Sequence, residues 1–325
     1  MLEFFGLDSR GLQPRSPPSG AAGLKEILWI DAIGPSAEES EWVQQTLGLQ
    51  LPSREQMREI ETSNRLREED GILHLTATVL MDSGRDSPAN HPVAFILSEH
   101  QLISNRHVDS LGFQRYRKFA ASHGRQCRDS GAILAGLLEA FVNSIADTLE
   151  RTSDEMDRLS AEIFAAPNHP GAARVRDYRP VLEKVGHLGD LNSKARESLA
   201  SLSRLLIFVQ QIRPSHVDEH SWARLRVIAR DLHEMGDHAV FLASKVQFTL
   251  DATLGMMTIE QNNTLKIFSV VTVLLLPPSV IAASFGMNFR YLPGIEHPLG
   301  FAVVALVMTL SAILPFAIFR RRGWL

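Results

Sequence analysis

The sequence predicts an α+β membrane protein: an N-terminal α/β domain, a long helical stalk and two C-terminal transmembrane helices. Three observations predict it. The first 125 residues alternate short apolar runs with turn signals, the pattern of strands and short helices. Residues 126–265 place apolar side chains at helical spacing. Two later runs, Ile267–Phe289 and Pro298–Phe319, hold no charged residue in 23 and 22 positions.

In the first region "EILWID", "GILHLTATVL", "PVAFILS" and "QLISNR" read as strands rich in Ile, Val, Leu and Thr. Between the first two, "PSAEESEWVQQTLG" reads as a helix. Ser36 and Glu39 are spaced as a capping box, and Gly48 is its stop. "REEDG" (67–71) reads as a solvated turn.

The second region is helical throughout. Ile133, Leu137, Phe141, Ile145, Leu149, Met156, Leu159 and Ile163 follow a spacing near 3.5 residues until "APNHPG" interrupts it. A second amphipathic helix is expected from about Ala172 to Ile212, ended by Pro214. No proline follows until Pro277, so one helix capped at Ser215 is expected to run into the first apolar span. At 1.5 Å per residue, ~70 residues would reach ~105 Å. A helix this long needs partners along its length, and oligomerisation is the natural source.

About 20 apolar residues cross a hydrocarbon core of ~30 Å, so both uncharged runs are long enough to be spans. Lys266 precedes the first and Arg320, Arg321 and Arg322 follow the second. The positive-inside rule then keeps both termini cytoplasmic and sends "RYLPGIEH" outside. The expected organisation is a cytoplasmic α/β domain over 1–125 and a cytoplasmic helical region with the stalk over 126–265. A first transmembrane helix over 266–289, an external loop over 290–297, a second helix over 298–319 and a basic tail over 320–325 complete it.

Composition excludes several functions. A net charge of −4 with scattered basic residues argues against a nucleic-acid partner. Cys127 is the one cysteine, which rules out an internal disulfide and a thiolate metal cluster. The first 20 residues lack the pattern of a signal peptide. No nucleophile–base pair, Gly-rich phosphate loop or HExxH points to an enzyme or an organic cofactor, which makes a membrane-anchored sensor or enzyme only a distant alternative.

The hairpin is an anchor or a pathway. Leu265, Phe268, Thr272, Leu276, Ser279 and Ala283 lie on one stripe of the first span, mixing bulky apolar groups with hydroxyls. Pro277 and Pro278 remove backbone hydrogen bonds there, which is tolerated in protein or beside water. A ring of such helices would enclose a narrow pore, but periodicity alone fits ordinary helix packing equally. The next stretch, "SFGMNF", is equally open: Gly and Asn are common helix terminators.

The stretch "IEQNNTLKIFSVVTVLLLPPSVIAASFGMNFRYLP", with a second span and a terminal "RRRGWL", closely resembles the CorA magnesium transporters. Gly286-Met287-Asn288 matches that family's signature in its usual place, and "LWIDAIGPSAEE" looks like the family's opening. The resemblance implies a funnel-shaped homopentamer in a lipid bilayer, the inner (plasma) membrane, with one pore lined by the first span. It places Gly286, Met287 and Asn288 at the outer mouth. Leu265, Phe268 and Leu276 fall at the family's constrictions and Ser279 at its hydroxyl. It further implies Mg²⁺ as both the transported ion and a regulatory one bound between subunits. Asp231, Asp237 and Asp251 are the candidate carboxylates for that gate. Where the family has an acidic loop, this chain reads "FRYLPGI", with Arg290 for an acid and Glu296 nearby. The alternative is the sister branch that moves zinc, or transport of Co²⁺ or Ni²⁺. His216 and His220, and His233 with Asp237, have zinc-ligand spacings.

Overall fold

The computed structural model describes residues 1–18, 23–59, 61–82, 88–164, 177–287 and 299–322. The chain begins with β1 (Leu2–Leu7), β2 (Leu12–Arg15) and β3 (Trp29–Ile33), followed by α1 (Ala37–Leu47). A short helix α2 (Thr62–Arg65) leads into β4 (Leu66–Glu69), β5 (Ile72–Met81), β6 (Ala89–Leu97) and β7 (Leu102–Arg106). Then come α3 (Leu111–Ala120), α4 (Ser130–Phe164), α5 (Arg179–Ile212), α6 (Glu219–Phe285) and α7 (Gly300–Arg321).

Among the described residues one seven-stranded sheet has the order β2-β1-β3-β7-β6-β5-β4. Only β3 and β7 pair in parallel, with Trp29 opposite Leu102 and Ile33 opposite Arg106. The four expected strands are present, and three more join them. β1 and β2 form the first hairpin. β4 takes up most of the "REEDG" expected as a turn, because Asp70 and Gly71 both adopt positive φ, 51° and 78°, and reverse the chain in two residues. An exposed edge strand tolerates that charge.

α1 has the expected caps. Ser36 Oγ accepts from Glu39 N at 3.2 Å and Glu39 Oε2 accepts from Ser36 N at 2.9 Å. Gly48 closes the helix in the left-handed conformation, φ 70°. Its Val43 packs with Phe4, Ile30, Leu49, Ile96 and Ile103 on one face of the sheet. The other face carries the main core, where Trp29, Leu75, Phe95 and Leu102 meet Phe113 of α3, Phe141 of α4 and Leu202 of α5. All eight apolar positions read on α4 are buried. The open edge of β5 is covered by α5, whose Ser201 and Ser198 hydroxyls accept from Thr78 N and Leu80 N at 2.8 and 2.9 Å.

"APNHPG" and the start expected for the second helix, 172–176, lie outside the described residues, and α5 begins at Arg179. α6 is one 67-residue helix, as expected from the missing prolines, but its cap is Asp218 rather than Ser215. Arg213 at φ 50° and Pro214 start a turn, so Asp218 Oδ1 is the group that reaches a first-turn amide, Ser221 N at 2.6 Å. The helix ends at Phe285, four residues before the end expected of the first span, because Gly286 leaves the helix.

The chain divides into two compact units: Met1–Ala165 with Arg179–Leu250, and Ala166–Tyr178 with Asp251–Leu325. The sheet, α1 to α5 and the first part of α6 therefore share one unit, with a core on each face of the sheet.

Candidate functional site: an exposed helical stripe and its terminus

Among the described residues three helices are long and apolar enough to cross a membrane: Ser130–Phe164, Glu219–Phe285 and Gly300–Arg321. Burial separates them. The apolar window of α4 is 67% buried against the sheet and its neighbours, so its greasy face is already spent in the core. The windows of α6 and α7 are 6% and 0% buried. Apolar surface on that scale needs a hydrocarbon solvent or other protein.

All six stripe residues, Leu265, Phe268, Thr272, Leu276, Ser279 and Ala283, are exposed on α6. At about 100° per residue they occupy an arc of ~80°. Val270, Leu274, Pro277, Pro278 and Ile281 are the more covered positions, and they centre ~180° away by the same count. The open side of the helix includes this stripe of mixed apolar and hydroxyl groups, flanked by exposed Ser269, Val271, Val273, Leu275 and Val280. On α7 the covered positions Val304, Met308, Ser311, Pro315 and Phe319 also recur at steps of three and four.

The hydroxyls have a defined orientation. Thr272 Oγ1 donates to Phe268 O at 2.8 Å and Ser279 Oγ donates to Leu275 O at 2.7 Å. Ser269 and Ser284 donate likewise to Leu265 O and Val280 O. Each hydroxyl proton is directed into the helix, and the oxygen lone pairs remain as acceptors. Such acceptors are suited to the outward-pointing water hydrogens of a hydrated cation. At the end of the span Gly286 N donates to Ala282 O at 2.9 Å, and Met287 is 52% exposed. Asn288, Arg290 and Glu296 lie outside the described residues.

The three candidate regulatory carboxylates do not meet within one chain. Asp231 and Asp237 are six residues apart, so they point ~120° from each other around α6. Asp237 and Asp251 share a face but are ~21 Å apart along the axis. Asp237 lies 3.9 Å from His233, both well exposed. Among the described residues no three His, Cys, Asp or Glu side chains cluster to hold a metal. His216 stands in the turn before α6, so it and His220 do not share a helical face.

One cluster that sequence reading missed is in the soluble unit. Asp31 and Arg106 are both fully buried, with Arg106 Nη2 2.9 Å from Asp31 Oδ2. Ser104 Oγ donates to Asp31 Oδ1 at 2.7 Å and accepts from Trp29 Nε1 at 2.9 Å. Arg106 Nη1 reaches Asp109 and Val108 O, each at 2.8 Å, and Arg117 also donates to Asp31. The Arg106 guanidinium lies 4.1 Å from the Phe113 ring centre. Burial alone would lower the pKa of Arg106; hydrogen bonds and charge from Asp31, then Asp109, raise it instead. The "WID" of the opening is therefore a structural joint between the parallel strands and α3. The signal was available as an acid set inside the apolar run "EILWIDAIG".

Residues 25–321 match the family described as CorA-like Mg2+ transporter protein. The chain belongs to the CorA family. CorA members are ion transporters, not enzymes. The chain is 31% identical over 325 residues to the magnesium transport protein CorA of Escherichia coli K12, covering all of both chains. It is 30% identical over the same length to the magnesium transport protein CorA of Salmonella typhimurium. Its fold is similar to the complete CorA magnesium transporter of Methanocaldococcus jannaschii, with a TM-score of 0.78 and 21% identity, covering 100% of this chain and 99% of that one. The CorA assignment does not favour the zinc alternative.

Proposed function

We propose that this protein carries Mg²⁺ across the inner (plasma) membrane through the centre of a homopentamer, with both termini cytoplasmic. The observation that carries this reading is the open arc of α6, Leu265 to Ala283, combined with membership in a magnesium-transporting family. Exposed Val240, Phe241 and Phe248 on the soluble part of α6 support assembly, since large apolar groups on a long helix need covering by other copies. Leu265, Phe268 and Leu276 form the narrow apolar rings, and Thr272 and Ser279 supply acceptor rings between them. Asn288, with Gly286 and Met287, forms the mouth. Mg²⁺ gives up its water reluctantly, so neutral amide and hydroxyl oxygens that accept from its hydration shell suit it better than carboxylates.

Intracellular Mg²⁺ closes the pore by bridging Asp231, Asp237 and Asp251 to carboxylates of other subunits, because among the described residues one chain brings no such group together. A triple change to Asn should raise the internal Mg²⁺ concentration that halves the flux. The test of the reading is metal entry into vesicles containing the purified protein, comparing Mg²⁺ with Zn²⁺, Co²⁺ and Ni²⁺. Mg²⁺ entry that disappears in a well-assembled Asn288→Ala variant supports it. Zn²⁺ entry in preference to Mg²⁺, or normal Mg²⁺ entry by that variant, refutes it.

A further inference from the structure

The sheet of the soluble unit is antiparallel except for β3 and β7. Beyond these two strands the chain leaves in opposite directions. β3 leads to α1, which packs on the face of the smaller core, and β7 leads to α3, which packs on the face of the larger one. Such divergence opens a crevice at the carboxyl ends of parallel strands, the place where α/β sheets bind ligands. Gly34 stands at that point with φ 49°, its N–H donating to Arg106 O at 2.7 Å. A side chain there would meet only His107 Nδ1, at 4.0 Å, so the backbone is open to an approaching group.

The 51–58 segment borders this crevice. Asn105 Nδ2 donates to Pro52 O at 2.8 Å, and Met57, 1% exposed, anchors the segment in the fold. That anchoring sets Arg54 and Arg58 within electrostatic reach of both His91 and His107. Burial first, then these two guanidinium charges, lowers the pKa of each ring. The Nε2 of His107 is buried without a hydrogen-bond partner among the described residues. Neither arginine forms an ion pair with a described residue.

The geometry points to an anion site at this crevice, built by Arg54, Arg58, His91 and His107 and suited to a phosphoryl group. Two guanidinium forks match the several oxygens of a phosphoryl group, where a single-atom anion would use one contact of each. The imidazoles add N–H donors beside the two guanidinium groups. Free phosphate and the terminal phosphate of a nucleotide share this chemistry. The site lies in the sheet unit and does not rest on the transport reading.

Calorimetric titration of the full-length protein in detergent, with chelator and no Mg²⁺, tests it using inorganic phosphate and ATP as separate probes. Saturable binding of at least one probe is expected, phosphate alone if the free ion is the ligand, ATP more tightly if a nucleotide is. The exposed pair Arg54→Gln/Arg58→Gln should weaken it by about tenfold or more, because it removes both charged donors. Arg10→Gln/Lys25→Gln, an equal change of charge elsewhere, should leave it unaltered. Absence of saturable binding by either probe, or equal weakening in both variants, overturns the proposal.

Discussion

The sheet unit and the two apolar helices solve opposite problems. In the sheet unit a buried acid such as Asp31 finds Ser104, Arg106 and Arg117 in its own chain. Along α6 from Leu265 to Ala283 almost nothing is buried by the chain itself. One region is a finished fold. The other is half of an interface whose remaining surface must come from lipid and from other copies. The lesson is that satisfaction within one chain marks structural residues, whereas a patterned face that the chain leaves uncovered calls for a partner outside it.

That contrast is open to attack by substitution. The largest expected effect is Asp31→Asn, which removes the buried carboxylate shared by Arg106 and Arg117, leaves Arg106 with Asp109 as its remaining ion pair, and should cost about 3–5 kcal/mol of stability. Denaturant unfolding of the purified protein measures it, and a loss below about 1 kcal/mol would show the pair to be poorly desolvated. Two leucines sharpen the point. Leu137→Ala, at a fully buried position, should cost about 2–5 kcal/mol in the same assay. Leu276→Ala, at a position 59% exposed in the chain, should alter ion flux while leaving unfolding of the sheet unit within about 0.5 kcal/mol.

Smaller effects follow. Ser36→Ala removes the cap of α1 and should cost about 1 kcal/mol. Stability should also depend mildly on pH. Burial is the first cause lowering the pKa of His74, His91, His107 and His216. A depressed histidine binds its proton more readily when unfolded, so stability falls as pH drops through about 6.5 and levels off below the folded pKa. Thermal unfolding at pH 7.5 and 5.5 should show the lower midpoint at 5.5, and a higher one there would contradict the assigned burial.

Much of this was legible in the residues. The capping box of α1, the eight buried positions of α4 and the unbroken α6 all follow from local spacing, and each was read from it. β1 and β2 were not, because their pairing with β3 is a tertiary choice that short runs such as "LEFFGL" do not announce. β4 was hidden by its charge, since an edge strand needs no apolar alternation. The cap of α6 was misplaced because the left-handed backbone at Arg213 has no clear sequence marker. In the candidate site, the stripe on α6 was visible as periodicity. Its exposure, opposite a covered face, could not be read from periodicity, because which face the chain covers is decided by tertiary packing.

The central claim is that this stripe faces the aqueous path of the assembled protein. Cys127, the single cysteine, is buried, so introduced thiols report against a quiet background. Single cysteines at Thr272 and Ser279 should react with a charged, membrane-impermeant thiol reagent and block Mg²⁺ entry into vesicles. Cysteines at Leu274 and Ile281, on the covered face, should react slowly and leave entry intact. The reverse pattern, or equal reactivity at all four, would contradict the assignment of this face to the ion path.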